Sequence, residues 1–205
     1  MATVPLLSTR AAEDAARLAW AGPVVLAPTV EFLPLEPGAD VYADRSVLAV
    51  TTPRSVPAAS RFAPGREVWA LAPRTTAALE AVGVRVDRAV TGGVADLLAG
   101  ADPSRVLLLT SDLGVAEAAR RWPTLTALAT HQTRRPDALP EGARALLASG
   151  GAYDVLVASP SAVENLDALA PGALGRARRV YCHGRSTLVA AQAFHPTPEP
   201  YVLGD

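Results

Sequence analysis

The chain of 205 residues contains no lysine; all 19 of its basic residues are arginine. That excludes Schiff-base chemistry and a lysine general base, although GC-rich coding is the weightier reason for the bias. There is one cysteine, Cys182, so no disulfide closes within the chain, which suits a reducing, cytoplasmic setting. The two signs of charge nearly balance, with 19 basic and 20 acidic residues. The formal net charge of −1 argues against a nucleic-acid partner. No apolar run is long enough to span a bilayer. The opening MATVPLLSTR lacks a basic region and a long apolar stretch, so it does not read as a signal peptide. His131, His183 and His195 are not at metal-ligand spacing, and no metal site is expected. A glycine-rich phosphate loop is missing, with Gly92-Gly93 only a weak substitute. Signals for a Ser-His-Asp nucleophile are absent too.

What the chain does have is a repeated strand-to-helix junction. Val47-Leu48-Ala49-Val50 runs into Thr51-Thr52-Pro53-Arg54-Ser55-Val56, and Val155-Leu156-Val157 into Ala158-Ser159-Pro160-Ser161-Ala162-Val163. In each copy an apolar strand meets a hydroxyl residue and then a proline. The hydroxyl is a natural N-cap, and proline fits the first helical turn because its missing N–H costs no bond there. A second pair occurs in the same order: Val68–Thr76 resembles Val180–Leu188. Two matched pairs in one order point to a duplicated α/β unit.

Strands are expected at 3–8, 24–27, 46–51, 67–71, 85–89, 105–109, 124–130, 154–158 and 178–182. Helices are expected at 11–20, 53–60, 74–82, 94–99, 113–121, 141–149, 160–169 and 186–193. Such alternation predicts parallel sheets with helices on both faces. Two proline-bearing pieces interrupt it. The first, 29–36, reads as a linker or edge strand because Pro34 cannot serve a central strand. The second, 129–136, opens the polar stretch HQTRRPDALP. The block between them has strands enough for a sheet; the two ends have enough only together. The reading is a discontinuous α/β domain of residues 1–28 plus 137–205, with a second α/β domain, 37–128, inserted into it.

Nearly every expected strand runs into Ser or Thr. Thr9 follows the first and Thr52 the strand at 46–51. Thr75 lies beyond 67–71, Ser111 beyond 105–109, Ser159 beyond 154–158, and Ser186-Thr187 beyond 178–182. One by one these read as helix N-caps. Together they line the carboxyl-end edge of two sheets, the usual ligand edge of such folds. If the two edges face each other, they form a neutral cleft rich in hydroxyl and N–H groups. Arg10, Arg54, Arg74 and Arg185 lie at the same junctions and can hold carboxylates bidentately.

These residues resemble the uroporphyrinogen-III synthase family over about residues 5 to 193. Leu7-Ser8-Thr9-Arg10 is similar to that family's opening strand, which ends in Thr-Arg. Thr51-Thr52-Pro53-Arg54-Ser55-Val56 resembles its Thr-Ser-Pro-Arg-Ala-Val signature. Ala72-Pro73-Arg74-Thr75, with Leu79 and Val82-Gly83 following, resembles its Gly-Pro-x-Thr-Ala stretch, with Ala72 in place of Gly. Ser159-Pro160-Ser161-Ala162-Val163 and Gly184-Arg185-Ser186-Thr187 resemble the later copies. The resemblance implies two flavodoxin-like parallel-sheet domains joined by a two-stranded linker, one domain discontinuous. It implies a cofactor-free lyase that cyclises the linear tetrapyrrole hydroxymethylbilane to uroporphyrinogen III, inverting the terminal ring and releasing water. Thr9, Arg10, Thr52, Arg54, Thr75, Ser111, Ser159, Ser161, Gly184, Ser186 and Thr187 are then the candidate substrate-binding residues. On the second linker the family usually has a Tyr, thought to assist loss of the hydroxyl; here His131 aligns with it and becomes the candidate proton donor. The expected partner is the small-molecule substrate alone, with no nucleic acid and no membrane, for a cytoplasmic monomer.

Two other classes stay open: a family-like protein that binds a tetrapyrrole or other polycarboxylate without turnover, and an unrelated flavodoxin-like binder of a phosphorylated or carboxylated small molecule.

Overall fold

In a computed structural model, which describes residues 3–10, 18, 20–38, 42 and 44–201, the alternation of strand and helix builds two separate sheets. In chain order the described elements begin with β1 (Leu6–Ser8), β2 (Val24–Leu26), β3 (Glu31–Pro34), β4 (Val47–Val50) and α1 (Val56–Phe62). β5 (Glu67–Leu71), α2 (Pro73–Glu80), β6 (Arg88–Val90), α3 (Val94–Leu97), β7 (Val106–Ser111), α4 (Asp112–Arg121) and β8 (Thr126–Arg134) follow. The remainder is α5 (Glu141–Ala148), β9 (Asp154–Val157), α6 (Pro160–Leu169), α7 (Ala173–Arg176), β10 (Arg179–Cys182), α8 (Arg185–Ala191) and β11 (Glu199–Pro200). The helix expected over 11–20 falls almost wholly outside the described residues.

Residues 1–31 with 134–205 form one compact unit and residues 32–133 the other. The first sheet has the order β11-β10-β9-β1-β2, the second β3-β8-β7-β4-β5-β6. The pairs from β11 to β2, and from β8 to β6, are parallel. Numbered within its own unit, the first sheet runs 2-1-3-4-5, the flavodoxin order, and the second, leaving aside its edge strand β3, runs 3-2-1-4-5. The flavodoxin-like order that the resemblance implied for both is therefore found in one. The spatial arrangement is nevertheless shared. β4, β5 and β6 take the places of β9, β10 and β11, while β7 and β8 take those of β1 and β2. The two sheets are circular permutations of one layout, with the repeated sequence segments at matching strands.

The central strands β4 and β9 have buried side chains throughout, as parallel strands covered on both faces require. In the 32–133 unit the period of two divides them cleanly. Leu48, Val50, Val68, Ala70, Leu107 and Leu109 pack with Val56, Phe62 and Leu79 of α1 and α2. Val47, Ala49, Trp69, Val106 and Leu108 pack on the other face with Leu97 and Ala118 of α3 and α4. In the discontinuous unit Leu7, Val155, Val157, Val180 and Cys182 pack against Val163, Leu166, Leu174 and Ala191.

Three stretches differ from expectation. The strand expected at 85–89 is displaced to β6, Arg88–Val90. β8 continues to Arg134, where the sequence suggested a linker from residue 129 onward; it is flanked by β3, whose Pro34 sits at the sheet edge where a lost donor is tolerated. The single turn α7 was not anticipated, being too short to show a period.

Two junctions depend on residue size. Ala72, before α2, has φ 69° and ψ 150°, and Gly184, in the matching place before α8, has φ 91° and ψ 160°. That region suits glycine; a side chain there costs ~1–3 kcal/mol. Ala72 is held in it by bonds at both ends: its N–H donates to Val90 O (2.7 Å), and its carbonyl accepts from Thr75 and Thr76 N–H (3.1 and 3.2 Å). Ala72→Gly should therefore raise unfolding stability by ~1 kcal/mol, net of the extra freedom glycine gives the unfolded chain, and Gly184→Ala should lower it by ~1–3 kcal/mol. Urea unfolding of the pair checks this; changes of the same sign would contradict it. Gly114, in the first turn of α4, is fixed differently: a Cβ there would lie 2.2 Å from Thr110 Oγ1. Gly114→Ala should cost ~1–3 kcal/mol, and adding Thr110→Ala should recover most of that loss, as read in a double-mutant cycle.

Candidate functional site

In each sheet one pair of neighbouring strands leads its connections in opposite directions, leaving the carboxyl ends uncovered. These pairs are β1 with β9, and β4 with β7. Such a switch point is where open α/β sheets bind ligands. Thr9 and Arg10 leave β1 there, and Ser159 and Ser161 follow β9. Thr52 and Arg54 follow β4, and Ser111 ends β7. Thr75 after β5, and Gly184, Ser186 and Thr187 after β10, lie one strand further out in each sheet.

The hydroxyls divide by what they already hold. Thr9 is buried; its Oγ1 donates to Leu156 O and accepts from Ala158 N–H, both at 3.1 Å, tying β1 to β9. Thr75 and Thr187 are buried, and Thr187 donates to His183 O (3.0 Å). These three brace the junctions from inside. Thr52, Ser111 and Ser159 are half-exposed caps, accepting from the N–H groups of Arg54 (3.4 Å), Gly114 (3.1 Å) and Ala162 (3.2 Å). Ser159 also bonds Ser161 at 3.0 Å, and Ser186 is exposed.

Each switch point also carries a guanidinium set against an aromatic or imidazole ring. Arg10 Nη2 donates to His183 Nδ1 at 3.3 Å; His183 is exposed, and partial desolvation followed by the Arg10 charge lowers its pKa from the ordinary 6.5. Arg54 stacks on Phe32 with Cζ 3.6 Å from the ring centroid.

His131 is not a solvated linker residue; it is only 5% exposed. The register of β7 with β8 slips there, pairing Thr110 with Ala129 but Ser111 with His131. Thr130 is the extra residue of this bulge, and Thr130 and His131 are consecutive yet both buried. Thr130 Oγ1 contacts Thr110 O (3.1 Å), Ser55 Oγ (2.7 Å) and His131 Nδ1 (3.1 Å). The Phe32 ring meets the imidazole edge-to-face at 5.8 Å. Burial, and then the Arg54 charge, lower the His131 pKa, with Asp112 opposing them. Asp112 is fixed in turn by accepting from Thr133 N–H at 3.0 Å.

Phe32, Ser55, Asp112 and Thr130 are not among the candidate site residues read from the sequence. Ser55 carries the one sequence cue, its place within the Thr-Pro-Arg junction; a bulge in β8 shows only against its partner strand. The remaining titratable groups are structural. Burial pushes the Cys182 thiol up to about 11, and buried His195 accepts from Thr197 N–H at 3.3 Å. A groove of about 760 Å³ beside α2 and β6 includes none of the sequence-predicted site residues. Among the described residues, no cluster of three or more His, Cys, Asp or Glu is placed to hold a metal, and no helix is long and apolar enough to cross a membrane.

The family model described as uroporphyrinogen-III synthase HemD matches residues 12–198. No curated protein sequence matches the chain. Among solved structures it is similar to uroporphyrinogen-III synthetase from Helicobacter pylori, at 14% identity and TM-score 0.64, over 98% of this chain and 92% of that one. It is also similar to a mutant uroporphyrinogen III synthase from the extremely thermophilic bacterium Thermus thermophilus, at 16% identity and TM-score 0.58, over 96% and 90%. Identities this low speak for a common fold; the match across residues 12–198 goes further, and the chain belongs to the uroporphyrinogen-III synthase family.

Proposed function

We propose that the protein is a uroporphyrinogen-III synthase, a cofactor-free lyase that closes hydroxymethylbilane to uroporphyrinogen III with inversion of the terminal ring and loss of water. Family membership supports this. The observation that carries it is that both sheets bring an arginine and capped helix starts to the switch point, Arg10 with Ser159 and Arg54 with Ser111. The substrate is a flexible chain of pyrroles bearing carboxylate arms. Arg10 and Arg54 take arms through their forked donors, and N–H groups at the starts of α4 and α6 take others.

The chemistry asks for position more than for reagents. The pyrrole nitrogen's electrons expel the hydroxyl, the terminal ring attacks to give a spiro intermediate, and reopening and reclosure place that ring inverted. Holding the ends of a long chain together removes much of the entropic barrier. A proton donor to the departing hydroxyl was expected at position 131. That role needs the imidazolium, which burial and Arg54 disfavour and which bound carboxylates favour.

The test is the ratio of type III to type I product formed from hydroxymethylbilane by the purified protein. An excess of type III is expected; type I alone, with tetrapyrrole bound but not turned over, would make this a binding protein. His131→Ala should slow type III formation by ~10²-fold, the low end for one acid–base group because the substrate also cyclises unaided. Arg10→Ala and Arg54→Ala should each act mainly on KM, raising it about tenfold, the worth of one charged hydrogen bond.

A further inference from the structure

We infer that Ser55 and Thr130 are positioning residues that fix His131 as the Nδ1–H tautomer, so that Nε2 presents a lone pair and His131 serves the reaction as a base. This rests on the synthase reading above, but the tautomer stands on geometry alone.

Thr130 has one hydroxyl hydrogen and two acceptor lone pairs, and three partners surround its Oγ1. The carbonyl of Thr110 can only accept, so it takes that hydrogen. The other two partners must then donate. Ser55 gives its hydroxyl hydrogen at 2.7 Å, and His131 gives the hydrogen on Nδ1 at 3.1 Å. All three sites on the Thr130 oxygen are filled. Ser55 is fully buried and Thr130 4% exposed, so neither readily exchanges a partner for water. A neutral imidazole with hydrogen on Nδ1 has none on Nε2. The other two histidines have the opposite arrangement. Arg10 donates to Nδ1 of His183 and the Thr197 N–H to Nδ1 of His195, which leaves the hydrogen of each on Nε2.

The reaction has a step that needs such a base. When the macrocycle closes, the free α-carbon of the inverted ring forms its new C–C bond while still carrying hydrogen. That C–H bond breaks to restore the pyrrole; its electrons return to the ring and the proton passes to Nε2. Together with the hydroxide lost at the start, this proton makes up the one water released. The charged groups set against the ring are Arg54, which opposes protonation, and Asp112, which favours it. The base is therefore active above a pKa lying below the ordinary 6.5 and is lost as pH falls through it.

Nitrogen-15 NMR of the intact protein, labelled at histidine and recorded above pH 7, tests the tautomer. His131→Ala identifies its signals, and His183 and His195 provide the contrast. We expect a pyrrole-like Nδ1 and a pyridine-like Nε2 for His131 alone. Thr130→Val should move His131 towards the Nε2–H form, and Thr130→Ser, which keeps the hydroxyl, should restore it. A pyridine-like Nδ1 in the wild-type protein, or no change in Thr130→Val, overturns the positioning role whether or not the protein turns over substrate. For the base, kcat for type III formation should fall on the acid side with the pKa that NMR gives for His131. Thr130→Val should lower kcat by less than His131→Ala does, with KM held, and Thr130→Ser should recover it. A kcat that rises on acidification would overturn the base and make His131 the acid. If no type III isomer forms, the synthase reading and the base fall together, while the measured tautomer still decides the positioning role.

Discussion

The pairing of two parallel strands whose connections diverge is the constraint on which the rest of the molecule depends. β4 beside β7, and β1 beside β9, are held along buried, mostly apolar strands. A helix leaving one such strand turns one way, and its neighbour's turns the other. The carboxyl ends between them stay uncovered, and helix-start N–H groups remain there without intrahelical partners. The hydroxyl caps, the arginines and the proline at the first turn follow from that geometry. A polyanion is the ligand such an edge suits.

The bulge at Thr130 adds what a regular strand could not. Side chains along β8 would otherwise alternate, and a threonine and histidine in sequence would face opposite ways. One extra residue turns both inward, so the hydroxyl that fixes the imidazole is the one immediately before it in the chain. Gly114 belongs to the same arrangement, because α4 packs against Thr110 more closely than a Cβ would allow. A register irregularity between two strands thus shapes the polar surroundings of His131.

The circular permutation relates these local devices to the whole. Each unit uses the same five-strand layout, but one is entered at β1 and completed at the far end of the chain. Gly184 and Ala72 occupy equivalent junctions with nearly the same backbone angles, one without strain and one with it. The layout tolerates the poorer residue because a strand-edge bond and a helix start hold Ala72 from both sides.

The sequence by itself determined the elements and the strand-end chemistry. Apolar runs such as Val47–Val50 and Val155–Val157 have no alternative to a covered strand, and Thr-Pro or Ser-Pro at their ends leaves a capped helix as the next step. Expected and observed bounds agree completely at 67–71 and 160–169. Which hydroxyls are turned inward was not legible. Thr9 and Ser159 look alike in the chain, yet one ties two strands together and the other caps a helix at the surface. Nor could the sequence show that His131 is buried, that Phe32 and Arg54 stack beside it, or that Thr130 and Ser55 dictate where its hydrogen sits. Burial and tautomer are set by neighbours from β3, β7 and the turn after β4. Only the register of the folded sheet decides which of them meet.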